Sequence, residues 1–149
     1  MTQHPDSVGL MKALYAQGPQ DLEDGPYLST GINDAFINYR HMFPELISYR
    51  GGLFVEANFD KTTVDEMFDM ARFGGGASAV ADAEAQINSI GLCAEAVEAG
   101  DLAAAQASAE AIGWVWKRWI KETYDVEIEV VAHIGDEDSW VTFRSAGAG

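Results

Sequence analysis

Apolar positions recur every three to four residues through much of the second half of the chain. Val80, Ala83, Ile87, Ile90, Ala94 and Val97 step by three or four, and Leu102, Ala105, Ala109, Ile112, Trp116 and Trp119 do the same after Gly100-Asp101. Such spacing collects each set on one face of a helix. Gly100 suits the position just past the first helix, where positive φ is common, and Asp101 suits the cap of the second. A turn this short predicts a long antiparallel helical hairpin, with its helices crossing at about 20°.

The rest of the chain mixes both periods. Val8, Leu10, Met11, Leu14 and Tyr15 suggest a weak helix that ends at Gly18-Pro19, and residues 20–26 have loop composition. Ile32, Phe36, Tyr39 and Phe43 mark one helix face. Pro44 fits the first turn of a second short helix over residues 45–49, stopped by Gly51-Gly52. Residues 53–59 alternate as a strand, with Leu53, Val55, Ala57 and Phe59 on one side. Thr63-Val64-Asp65-Glu66 reads as a capping box for a helix burying Val64, Met67, Phe68 and Ala71, and Gly74-Gly75-Gly76 breaks it. Val126, Ile128, Val130, Ala132 and Ile134 alternate with Glu127, Glu129, Val131 and His133, residues 135–138 make a turn, and Trp140, Val141 and Phe143 return.

The expected fold is therefore α+β, with about five helices including the helical hairpin, and a small antiparallel sheet of about three strands. Residues 1–149 read as a single domain, with a partly irregular segment over 1–29 and a flexible tail over 145–149. A chain of this length buries about 70% of its unfolded surface and needs no staples. Cys93 is the only cysteine. No disulfide forms within the chain, which fits a reducing, cytoplasmic setting. Residues 1–10 lack a basic and an apolar region, so no signal peptide is expected, and charges interrupt every apolar run before the length of a membrane span.

Charge changes the picture more than composition does. Twenty-four acids face nine bases, for a net charge of -15, with 48% hydrophobic residues. That apolar content excludes a disordered acidic tail. The acidity argues against direct binding to nucleic acid or an anionic membrane, both of which need a basic face. Lys and Arg are absent between Arg72 and Lys117 and again between Lys121 and Arg144, and these windows hold 13 of the acids.

Several constellations invite chemical readings. Asp34, Asn38 and His41 share a helix face, with Glu45 beyond, a donor set for a divalent ion. The pattern itself lacks a second His, and a solvated polar stripe explains the spacing. His133 shares a strand face with Glu127 and Glu129, a setting for a protonatable switch or general base, but no nucleophile is near in sequence. Cys93 has no base nearby to activate it. Gly74-Gly75-Gly76 lacks the phosphate fingerprints, and Asp136, Glu137 and Asp138 supply too few ligands for a calcium loop. Trp114, Trp116, Lys117, Arg118, Trp119 and Lys121 resemble a nucleic-acid stacking platform. Trp116 and Trp119, however, complete an apolar helix face, and the cations complement the helix C-terminus.

The functional expectation is a small, cytoplasmic, non-enzymatic protein that engages a basic surface of a protein partner, as a nucleic-acid mimic or steric inhibitor of the immunity or phage anti-defence type. Glu127, Glu129, Asp136, Glu137 and Asp138 are its candidate contact residues. The two glutamates lie about 6.6–6.8 Å apart on a strand, close to phosphate spacing. Acidity that serves only solubility or salt adaptation is the competing explanation. The alternatives are an enzyme or small-ligand protein with a pocket between sheet and helices, drawing on Asp34, His41 and Trp114, or an obligate oligomer subunit. No metal or cofactor is expected.

Overall fold

A computed structural model describes residues 32–74, 79–93 and 99–146. Among them are four α-helices, a short 3-10 turn and two small antiparallel sheets. Helix α1 (Ile32–Met42) leads into a hairpin of β1 (Leu46–Tyr49) and β2 (Gly52–Val55). Helices α2 (Lys61–Gly74) and α3 (Ala79–Ile87) follow, then strand β3 (Ile90–Cys93), the long helix α4 (Ala99–Tyr124), and strands β4 (Ile128–Ile134) and β5 (Ser139–Ser145). The second sheet has the order β3-β5-β4. The α+β class and the C-terminal hairpin agree with the sequence pattern. The weak helix and loop before residue 32, the second and third glycines of the Gly74-Gly75-Gly76 break, Ala94 and Val97, and the end of the tail lie outside the described residues.

The helical hairpin is overturned. α3 stops at Ile87, and Ile90, counted as helical by its spacing, belongs to β3 instead. Steps of three and four cannot separate a helix from a helix followed by a short strand, because Ile87 and Ile90 satisfy both. Asn88, the residue just past the helix, turns its side chain to neighbouring strands. Its Oδ1 accepts from Val55 N at 2.8 Å, and its Nδ2 donates to Leu53 O at 3.0 Å and Phe143 O at 3.3 Å. Gly100 and Asp101 are correspondingly not a turn between helices but part of the first turn of α4.

The short helix over residues 45–49 is also overturned, because this stretch forms β1. Arg50 (φ 50°) and Gly51 (φ 84°) both take positive φ between the paired residues Tyr49 and Gly52. That is the two-residue loop whose twist matches a hairpin. A five-residue helix has little chance against it, since nucleation alone is costly. β2 is shorter than its alternation predicts, because Glu56–Asn58 turn into a 3-10 segment. Phe59 therefore swings round to pack on Phe54 and Tyr49, at 5.6 and 5.2 Å between ring centroids. The cap of α2 shifts too. Asp60 accepts from Thr63 N at 2.8 Å and Thr63 Oγ1 at 2.6 Å, so the helix begins before the expected capping box.

β2 divides two cores. Leu53 and Val55 join Trp116, Ile120, Val141 and Phe143, while Phe54 points the other way to Val64, Phe68 and Ala83. The three-stranded sheet carries α4 on one face, where Trp116 meets Phe143 edge to face at 5.1 Å. It carries α3 on the other, where Thr142 Oγ1 donates to Ala85 O at 2.6 Å. Val64, Phe68, Ala105, Ala109 and Trp116 are buried as their spacing predicts.

The α2 side of the β1–β2 hairpin is tied by one carboxylate. Asp65 Oδ2 accepts from Lys61 Nζ at 2.7 Å, and Oδ1 accepts from the Tyr49 hydroxyl at 2.6 Å and Arg50 at 2.9 Å. Lys61, then Tyr49 and Arg50, hold this carboxyl well below the usual aspartate range. A depressed carboxyl stabilises fully above its unfolded pKa, and that stability is lost as pH falls through the folded value. Asp65→Asn is expected to be less stable than wild type by a constant margin above about pH 4. Below that, the margin should shrink gradually. Urea melts across the acid range check this, and a margin already gone at pH 4 refutes it.

Candidate functional site

The C-terminal hairpin places the five candidate acids along one strand and its tip. Glu129 pairs with Arg144 in the sheet register, and its carboxylate meets the Arg144 guanidinium at 2.9 Å. That hydrogen bond and charge lower the Glu129 carboxyl from its ordinary value. Glu127 lies 3.4 Å from Lys121, which also holds Asp125 at 2.7 Å. Asp125 itself takes positive φ (55°) at the end of α4 and accepts this bond, so the turn into β4 brings the base back to the acids. Asp138 Oδ1 lies 3.3 Å from His133 Nε2, an ion pair whenever the imidazole is protonated. Asp136 and Glu137 are exposed at the tip and make no ion pair among the described residues.

The window from Lys121 to Arg144 thus contains no base in sequence, yet its two bounding bases fold back onto Glu127 and Glu129. Sequence distance concealed this. The register that joins residues 129 and 144 is set by a four-residue turn that the pattern had already suggested.

His133 has Asp138, not Glu127 or Glu129, as its acidic neighbour, and stacks on Trp140 at 5.6 Å. A β-carbon on Gly135 would come within 2.7 Å of His133 Nε2, so the glycine leaves room for the ring. No hydroxyl or thiol nucleophile is bonded to this imidazole among the described contacts.

Of the candidate pocket residues, His41 and Trp114 do not line the same cavity. His41 lines a cavity of about 410 Å³ between α1, β3 and α4, together with Asn38, Met42, Leu92, Ser108 and Ile112. Trp114 is elsewhere, half-buried, with the Arg118 guanidinium 6.0 Å above its ring. The side chain of Asp34 lies outside the described residues. Two residues of the expected apolar face of α1 depart from the expectation. Phe36 and Tyr39 are 62% and 56% exposed, while Asn38 and His41 line the cavity. The end of the helix fixes this orientation. Trp116 Nε1 donates to His41 O at 2.8 Å, Trp119 Nε1 donates to Pro44 O at 3.0 Å, and Phe43 meets Trp119 edge to face at 5.5 Å. Trp116 and Trp119 are therefore packing and anchoring residues.

Among the described residues, no three His, Cys, Asp or Glu side chains are grouped to hold a metal ion, and no helix is long and apolar enough to cross a membrane.

The polar residues that sequence reasoning missed are Glu84 and Asn88. Both are fully buried. Glu84 Oε1 accepts from Leu53 N at 2.8 Å and Ser145 Oγ at 2.7 Å, and Oε2 accepts from Ser145 N at 2.7 Å. Together with Asn88, it replaces a missing strand between β2 and the end of β5. A buried Glu is rare enough that its neighbours in sequence give no sign of it.

Comparison with protein-family models, with curated proteins and with solved structures gives no match for this chain.

Proposed function

We propose that this chain is a non-enzymatic binding protein that engages a basic surface of a protein partner through the tip and outer face of the β4–β5 hairpin. One observation carries the reading. Arg40, Arg50, Lys61, Arg118, Lys121 and Arg144 are each held by an acid of the same chain, and among the described residues the tip acids Asp136 and Glu137 are left uncompensated. With a net charge of -15, the field around the tip favours a cationic partner and speeds its encounter. Such contact would occupy a site otherwise open to nucleic acid, hence the mimic or inhibitor role. Glu127 and Glu129 are secondary contributors, since each shares its charge with a base.

Recovery of the native partner by pull-down at low and high salt tests this. Asp136→Lys combined with Glu137→Lys is expected to weaken binding about tenfold or more at low salt and to flatten its salt dependence. Glu129→Lys should have a smaller effect. A partner held equally at both salts, and equally by the reversed tip, refutes the proposal.

The cavity at His41 favours a second reading, a small-ligand protein. Its lining is mostly apolar with a few polar groups, as ligand sites commonly are. A bound small molecule in the purified protein, with a melting shift lost on His41→Ala, would establish it in place of the first.

A further inference from the structure

Among the described residues, several sheet edges are closed by side chains of the chain itself and one long edge is left open. On β2, Leu53 N and O and Val55 N are taken by Glu84 and Asn88. At the end of β5, Phe143 O and Ser145 N are taken by the same two residues. On β1, Leu46 N donates to the Tyr124 hydroxyl at 3.0 Å. The free side of β3 is only four residues long and irregular at Gly91/Cys93, which blunts it.

β4 differs. It is the outer strand of its sheet and seven residues long. Its hydrogen-bonding parity follows from the two ends of the hairpin. Gly135 N donates to Asp138 O, and Ala146 N donates to Glu127 O. Residues 127, 129, 131, 133 and 135 therefore bond to β5, and the alternation of an antiparallel ladder turns the N–H and C=O of Ile128, Val130, Ala132 and Ile134 outward. Among the described residues, no backbone or side-chain hydrogen bond reaches these groups.

The side chains along this edge indicate what it accepts. Glu127 and Glu129 project from the outer face with side chains 72% and 56% exposed, and the row ends at Asp136 and Glu137. A second copy would set acidic edge against acidic edge, with -15 on each chain. An extended segment with Lys or Arg at alternate positions matches both the open ladder and the acids beside it. We propose that β4 takes up an extended, basic segment of the partner protein as an added strand. Main-chain bonds to Val130 and Ala132 would supply affinity, and the acids at alternate positions would supply selectivity. The inference rests on the basic-partner reading above and adds the binding mode.

Two probes separate the binding mode from that reading. One is an acetylated, amidated peptide of alternating lysine and valine; the other is polylysine of the same length, which offers charge with little strand propensity. Fluorescence anisotropy at low and high salt compares wild type with Ala132→Pro. Proline is tolerated here because the lost N–H faces outward and takes no part in the β4–β5 ladder. The alternating peptide is expected to bind wild type more tightly than polylysine does. Ala132→Pro should weaken the peptide about tenfold and leave polylysine binding and the melting temperature unchanged. Slowed amide exchange at Val130 and Ala132 on peptide addition reads the same contact in the wild-type protein, should the variant fold poorly. If both probes bind with equal strength and neither the proline nor exchange responds, strand addition is overturned and the basic-partner reading stands. If neither probe binds at low salt, both are overturned.

Discussion

Replacing Glu84 by leucine is expected to cost more stability than any surface change in this molecule. The side chain is fully buried and accepts three hydrogen bonds, two of them from backbone N–H groups of β2 and β5. Leucine fills a similar volume and offers no acceptor. Each buried donor left without a partner costs about 1–3 kcal/mol, so a loss of about 3–5 kcal/mol is expected after the added apolar burial is credited. That is a large share of the roughly 5–15 kcal/mol by which domains are stable. Glu84→Gln should lie between, because its amide keeps one acceptor oxygen and turns an NH2 toward a donor. Urea denaturation of the three proteins measures the order. A leucine variant as stable as wild type would show that water or a local shift can satisfy Leu53 and Ser145, and the account of Glu84 as a substitute strand would fail.

The same residue shows where sequence reading stops. The C-terminal hairpin was legible because both its strands alternate and its turn is polar, so periodicity and turn chemistry pointed to one structure. The buried face of α2 and the Ala105, Ala109 and Trp116 stripe of α4 were legible for the same reason. The hairpin of β1 and β2 was half legible. Gly51 marks a turn, but positive φ at Arg50 has no sequence signature, and Pro44 suggested a helix start. Glu84 and Asn88 were not legible, because an acidic or amide side chain on a helix normally faces water. Only the missing strand between β2 and β5 makes their burial favourable. The candidate acids were found as a set, whereas their compensation was not. Lys121 and Arg144 reach Glu127 and Glu129 only once the α4–β4 turn and the hairpin register are known.

Trp116→Ala is expected to have the second large effect, and its comparison with Trp116→Phe separates two roles of one side chain. The indole is fully buried, packs edge to face on Phe143, and donates to His41 O. Truncation to alanine should cost about 3–5 kcal/mol, from lost apolar burial and the cavity left behind. Phenylalanine keeps most of the packing and loses the donor. It should cost about 1 kcal/mol globally, and its main effect should be local. The carbonyl of His41 belongs to the last turn of α1, where carbonyls have no partner within the helix. Without the indole, the Trp119–Pro44 bond, the Phe43–Trp119 ring contact and the exposed Arg40–Glu45 pair remain at this end among the described residues. Amide exchange in the phenylalanine variant should therefore rise in α1 and remain near wild type in β4 and β5. Equal exchange in α1 would show that the helix is held by packing alone. A rise confined to α1 would identify the aromatic and basic run at the end of α4 as the anchor of a helix, which is the reading its apolar spacing favours over a nucleic-acid platform.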